Sequence, residues 1–131
     1  MMALLVDDDA ANRDLLGRML TRLGWLSDAV ASGYEAVEAC SRARYDVVLM
    51  DIFMPGMNGY SCAQAILDLY ASKQAAPEET HYKPKIIAVT GSDDLSRGNA
   101  QLFDGFLQKP FMMDELHACL AATDPDFGRI P

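Results

Sequence analysis

Apolar and polar positions fall in blocks along the chain, and the blocks predict alternating strands and helices. Leu4-Leu5-Val6 is a short apolar run that stops at Asp7-Asp8-Asp9. Leu15, Leu16, Met19, Leu20 and Leu23 then recur at helical spacing, and Gly24 ends that helix. Trp25 to Val30 predicts a second strand. Ser32 is a good N-cap for a helix carrying Ala36, Val37 and Cys40 on one side. Residues 46–50, with Val47, Val48, Leu49 and Met50, predict a third strand buried on both faces, and Pro55, Gly56, Asn58 and Gly59 predict the turn after it. Ala63, Ile66, Leu67 and Tyr70 mark a third helix. Residues 71–85 are polar, contain Pro77 and Pro84, and predict a long loop. Lys85 to Thr90 is a fourth strand, apolar almost throughout. Residues 91–104 should hold a fourth helix, weakened by Gly98 and Asn99. Gly105 to Gln108 predicts a fifth short strand, Lys109-Pro110 follows, and residues 113–122 predict a last helix with Leu116 and Leu120 inward. The end, "DPDFGRIP", reads as irregular.

Five strands alternating with five helices predict an α/β fold, a parallel sheet covered on both faces. Right-handed crossovers restrict its topology. A doubly wound five-stranded sheet in the order 2-1-3-4-5 is the simplest answer, and it places ligands at the carboxyl ends of the strands.

Composition narrows the function. The chain has 131 residues, half of them hydrophobic, which suits one domain with one core and excludes general disorder. No apolar run approaches the roughly 20 residues of a membrane span, and no signal-peptide pattern opens the chain. The expectation is no membrane partner and a cytoplasmic protein. The formal net charge of −8 argues against nucleic acid and is compatible with a cationic partner or a metal ion. Cys40, Cys62 and Cys119 fit neither a disulfide framework nor a zinc site and read as buried free thiols in a reducing compartment. His81 and His117 lack ligand spacing and read as surface residues.

The predicted sheet gathers chemistry at one edge. Strand 1 delivers Asp7 and Asp8, strand 3 Asp51, strand 4 Thr90 and strand 5 Lys109. Asp9 reads as a helix cap or a solvated residue. Singly, Thr90 is also a helix start and Lys109 a plain turn residue; the signal is their convergence. Three neighbouring carboxylates repel one another. A hard divalent cation such as Mg²⁺ resolves this with oxygen ligands. A hydroxyl and an ammonium opposite suit a phosphoryl oxyanion. Asp51 then reads as a nucleophile held at a strand end.

From about Ala3 to Ala122 the chain closely resembles the receiver domain of two-component response regulators. The resemblance rests on "LLVDDD", "DVVLMDIFMPGMNG", "IIAVTG" and "FLQKPF", in order and suitably spaced. It implies a flavodoxin-like receiver fold over residues 1–124, with 125–131 an irregular tail. It implies phosphoryl transfer, with Mg²⁺, from a histidine kinase or histidine phosphotransfer protein onto Asp51. By position, Asp8 and Asp51 would bind Mg²⁺ directly, with the Phe53 backbone carbonyl as a third ligand and Asp7 acting through water. Thr90 would bond the phosphoryl group and shift on activation, Lys109 would neutralise its charge, Phe106 would be the aromatic switch, and Lys109–Pro110 would be cis.

The chain departs from the family pattern at several points. Phe106 lacks the hydroxyl of the common tyrosine, the 71–85 loop is long, and Leu102 replaces a turn glycine. The Thr90–Lys109 segment is short by roughly one helical turn. A short or irregular helix between about Asp94 and Gln101 is therefore expected, as is a monomer whose partner docks near the first helix. Three rival functions fit the residues less well. A haloacid-dehalogenase-like phosphohydrolase would need an Asp where Phe53 stands. A flavodoxin-like cofactor binder would need a phosphate loop where Asp7-Asp8-Asp9 stands. A receiver-like scaffold that is never phosphorylated is unmotivated, because every acceptor residue is present. A switch or relay module without an output domain of its own, with Met1-Met2 as a natural start, is the expectation.

Overall fold

The computed structural model describes residues 1–71, 84–91 and 102–123. Most of the predicted 71–85 loop, the expected irregular helix with Gly98 and Asn99, His81, Ser92 and the 125–131 tail lie outside the described residues.

Nine elements follow in chain order. They are β1 (Met2–Val6), α1 (Ala10–Arg22), β2 (Leu26–Val30), α2 (Gly33–Arg42), β3 (Val47–Asp51), α3 (Gly59–Ala71), β4 (Lys85–Thr90), β5 (Gly105–Gln108) and α4 (Met113–Thr123). The strands form one parallel sheet in the order β2-β1-β3-β4-β5, the doubly wound order that the alternation predicted. Four helices are seen among the described residues.

Strand side chains alternate between two cores. Leu4, Val6, Val48, Met50, Ile86 and Ala88 pack with Ala36 and Cys40 of α2 and with Cys62, Ala63 and Ile66 of α3. Ala3, Leu5, Val47, Leu49, Ile87 and Val89 pack with Met19 and Leu20 of α1 and with Leu116 and Leu120 of α4. Burial on both faces is why these strands read as unbroken apolar runs. β2 lies at the sheet edge and is half exposed.

Local signals fix the helix starts. The Asp9 carboxylate accepts the amides of Ala11 and Asn12. Ser32 Oγ accepts the Glu35 amide while Glu35 reaches back to accept the Ala31 amide, a variant of the capping box displaced to the residue before the cap. Asn58 Oδ1 accepts the Ser61 amide at the head of α3.

Several details differ from the sequence expectation. Leu15 lies on α1 but 59% exposed, so the leucine stripe is only partly core. Trp25 precedes β2 and is buried beneath it in the second core, an anchor rather than a strand residue. Gly59 opens α3 instead of closing the turn. Cys40 and Cys62 are buried free thiols, but Cys119 is only half-buried. His117 is exposed.

Candidate functional site

Strand register builds the site. Val6 pairs with Met50, so Asp7 and Asp51 emerge side by side from adjacent strands. Asp51 pairs with Val89, and Thr90 with Gln108, so the next residues in line are Thr90 and Lys109. A backbone hydrogen bond of 2.8 Å from Lys109 N to Thr90 O continues the ladder past the end of β5. The five predicted residues thus fall on one carboxyl-end row.

Carboxylate oxygens of Asp7, Asp8 and Asp51 lie within 4.8 Å of one another. Asp7 and Asp51 are buried and Asp8 is exposed, so the cluster opens to solvent on the Asp8 side. Lys109 Nζ donates to Asp7 at 3.3 Å and stands 4.0 Å from Asp51. Thr90 is buried at the end of β4. The Lys109–Pro110 peptide is cis. Phe53, two residues past Asp51, donates its amide to Asp51 Oδ1 at 3.3 Å while its ring is 62% exposed.

The electrostatics favour a cation. Burial pushes the Asp51 carboxyl up from its ordinary 3.8 to about 6; Lys109 and the Phe53 amide oppose the rise, and Asp7 and Asp8 add to it. One ammonium shared between two carboxylates leaves the cluster anionic. Hard oxygen donors, partial burial and an open side suit a small divalent ion that keeps waters.

Two supporting residues escaped the sequence reading. The Arg13 guanidinium donates to the Asp7 backbone carbonyl at 2.6 Å and so ties α1 to the loop bearing Asp7 and Asp8. An arginine one turn into a helix carries no sequence signal for this, because the contact depends on how the loop folds back. Gly59 N donates to Ile52 O at 2.8 Å, pinning the head of α3 to the residue after Asp51.

At the other end of β5, Phe106 is 44% exposed and meets Phe103 edge to face, with ring centroids 5.9 Å apart. Phe103 in turn meets Tyr60 of α3 at 5.8 Å. An aromatic row therefore runs from the expected switch position toward the start of α3.

Known proteins share this fold. Residues 3–121 match the family model described as the response regulator receiver domain. The receiver domain of sensor histidine kinase PA1611 from Pseudomonas aeruginosa PAO1, solved with magnesium in its active site cleft, is 33% identical with a TM-score of 0.75, over 92% of this chain and 93% of that one. The response regulator TrrA from Thermotoga maritima, solved with Mg²⁺ and BeF, is 28% identical with a TM-score of 0.77, over 93% of this chain and 97% of that one. Hybrid signal transduction histidine kinase B from Dictyostelium discoideum is 32% identical over 86% of this chain, which spans only 6% of that protein's length.

Proposed function

The chain belongs to the response regulator receiver family, and from that premise we propose that Asp51 is its phospho-acceptor. The observation that carries this is the placement of Asp51 at a buried strand end, among Asp7, Asp8 and Lys109. An Asp51 carboxylate oxygen attacks the phosphorus of a phosphohistidine or an acyl phosphate. The new O–P bond forms as the bond from phosphorus to the donor breaks, and the donor leaves with that electron pair. Lys109 supplies an ammonium beside the incoming phosphoryl oxygens, and Thr90 a hydroxyl. Asp8, Asp51 and the Phe53 carbonyl are the residues we assign to Mg²⁺, with Asp7 acting through water. When bound, the ion neutralises charge on the phosphoryl group. Thr90 and Phe106 are the proposed switch pair.

The donor partner we propose is a histidine kinase or histidine phosphotransfer protein. An exposed apolar strip supports its docking beside α1, where Leu15 and Met112 are 59% and 69% exposed and Phe111 lies between them and Lys109. That strip leads to the mouth of the acceptor site. We further propose a monomer that catalyses its own phosphorylation and dephosphorylation, in the cytoplasm, in keeping with its free cysteines. Among the described residues, no helix is long and apolar enough to cross a membrane.

Incubation with acetyl phosphate and Mg²⁺ tests the acceptor assignment. One phosphoryl group per chain is expected, abolished by Asp51→Ala and by chelation. Undiminished uptake in Asp51→Ala would overturn the reading.

A further inference from the structure

We propose that Gly59 is a positioning residue for the acceptor: its missing side chain lets the first turn of α3 rest directly on the backbone that holds Asp51. The inference builds on the acceptor role of Asp51 and assigns the device that sets its position.

A Cβ on Gly59 would lie 2.7 Å from the Asp51 carbonyl oxygen, 2.7 Å from Ile52 Cα and 3.0 Å from Ile52 Cδ1. Two of these three neighbours are backbone atoms, so no rotamer change relieves the contact. Gly59 is not among the positive-φ glycines, which among the described residues are Gly24 and Gly56. Close approach, not backbone conformation, therefore demands glycine here.

Rigid packing decides where the strain of a side chain would go. Cys62, Ala63 and Ile66 hold α3 against the first core with no exposure, and Asn58 caps its first turn. Asp51 is the last residue of β3, paired with Val89 of β4, and its carboxylate accepts the Phe53 amide of the loop that follows. A methyl at position 59 reaches ordinary contact at about 3.4 Å only if the two backbones part by roughly 0.7 Å, and any share of that shift taken by the strand end moves Asp51. The displaced group would be the nucleophile and its cluster with Asp7, Asp8 and Lys109. A misplacement of that size costs about 10- to 100-fold in a reaction that depends on alignment.

Gly33 supplies an internal contrast. A Cβ there would also come close, 2.9 Å from Met57 Cγ and Sδ and 3.1 Å from Met57 Cβ, but the two nearest atoms belong to a flexible side chain that can turn aside, and none of the three is main chain. Gly17, inside α1, would meet nothing nearer than 3.9 Å. If proximity to the acceptor backbone is what matters, only the first of these three glycines is critical.

The test compares Gly59→Ala, Gly33→Ala and Gly17→Ala with the wild-type protein, each checked for its folded fraction by circular dichroism. Phosphoryl uptake from acetyl phosphate and Mg²⁺ affinity by calorimetry are both measured. Gly59→Ala is expected to lower the uptake rate at saturating donor by about 10- to 100-fold, leave the donor half-saturation nearly unchanged, and weaken Mg²⁺ binding several-fold. The other two variants are expected to stay within about twofold of wild type. Mere destabilisation would leave the affinity of the folded molecules for Mg²⁺ untouched, so unchanged affinity and rate in folded Gly59→Ala overturn the proposal. Loss of uptake in the wild-type protein, or its survival in Asp51→Ala, would instead overturn the acceptor assignment. Should Gly59→Ala not fold, the wild-type Gly59 amide resonance decides. It is expected to shift on Mg²⁺ titration in step with calorimetric binding, and to stay still in Asp51→Asn; an amide that ignores Mg²⁺ in the wild-type protein refutes coupling between the helix start and the acceptor.

Discussion

Removing the charge of Asp51 should stabilise the metal-free protein. Folding carries this carboxyl from an ordinary 3.8 to about 6, chiefly by burial. Between those two pH values the folded protein binds the proton more tightly than the unfolded chain does. Stability is therefore highest below pH 3.8 as far as this group is concerned, and it is lost as pH rises through 6. At pH 7.5 the full penalty applies, roughly 3 kcal/mol at about 1.36 kcal/mol per pH unit. At pH 5 about half of it remains. Asparagine is neutral throughout and can still accept the Phe53 amide, while Lys109 keeps Asp7 at 3.3 Å. Asp51→Asn should thus unfold at higher urea than wild type in EDTA at pH 7.5, by roughly 2 M for a slope of about 1.5 kcal/mol per molar. The gain should halve at pH 5. Saturating Mg²⁺ should close the gap by stabilising the wild-type protein more than the variant. A variant no more stable than wild type at pH 7.5, or a gain that does not shrink toward pH 5, refutes the claim that the folded cluster carries an uncompensated buried charge.

Other consequences are simpler to state. Phe53→Asn should shorten the aspartyl-phosphate lifetime about two- to tenfold by admitting a water past a side chain that, although exposed, stands two residues from the acceptor; an equal or longer lifetime, followed by loss of label, counts against shielding. Ser32→Ala removes the acceptor for the Glu35 amide and should cost about 1 kcal/mol in urea denaturation, with phosphoryl uptake unchanged. Phe103→Ala opens a void between Tyr60 and Phe106 and should cost about 3 kcal/mol; a loss below 1 kcal/mol would show that the aromatic row is loosely packed. Sedimentation should find a monomer with and without beryllofluoride, and a tight beryllofluoride-dependent dimer would contradict the proposed partner geometry.

The strands that matter most for the site were also the easiest to read. β1, β3 and β4 are buried on both faces, so their apolar character is continuous and ends sharply where the chain turns polar. That sharp end is the strand terminus, and it puts Asp7 and Asp51 in register. β2 was harder: an edge strand with one solvated side keeps little of that signal, and the buried Trp25 drew its predicted start one residue early. Leu15 misled for the opposite reason. Its helical spacing is real, but spacing reports periodicity and not which neighbours cover a face, and here α1 leaves it 59% exposed beside Phe111.

What the sequence could not convey is distance between backbones. Asp7, Asp8, Asp51 and Lys109 carry charges that make sense only together, so their places at the predicted strand ends suggested their meeting. Gly59 carries no group at all. Its contribution is a void of one methyl between α3 and the acceptor strand, and a turn-like "PGMNG" hides it. The same logic applies to Lys109. In sequence it is a cation placed for a phosphoryl group; in the folded chain it is already engaged, 3.3 Å from Asp7 and 4.0 Å from Asp51. Its ammonium holds together carboxylates that would otherwise repel, and an incoming phosphoryl oxygen would compete with them for the same charge. The share of that charge drawn away from Asp7 and Asp51 must then be supplied from elsewhere. That exchange makes phosphoryl uptake and cation binding two halves of one electrostatic balance, and it predicts that Lys109→Met, which removes the resident charge, raises the cluster's demand for Mg²⁺ while slowing phosphoryl transfer. Tighter Mg²⁺ binding in that variant by calorimetry, together with a slower rate from acetyl phosphate, is the expected pair of results; weaker binding would show that Lys109 organises the carboxylates rather than competing for them.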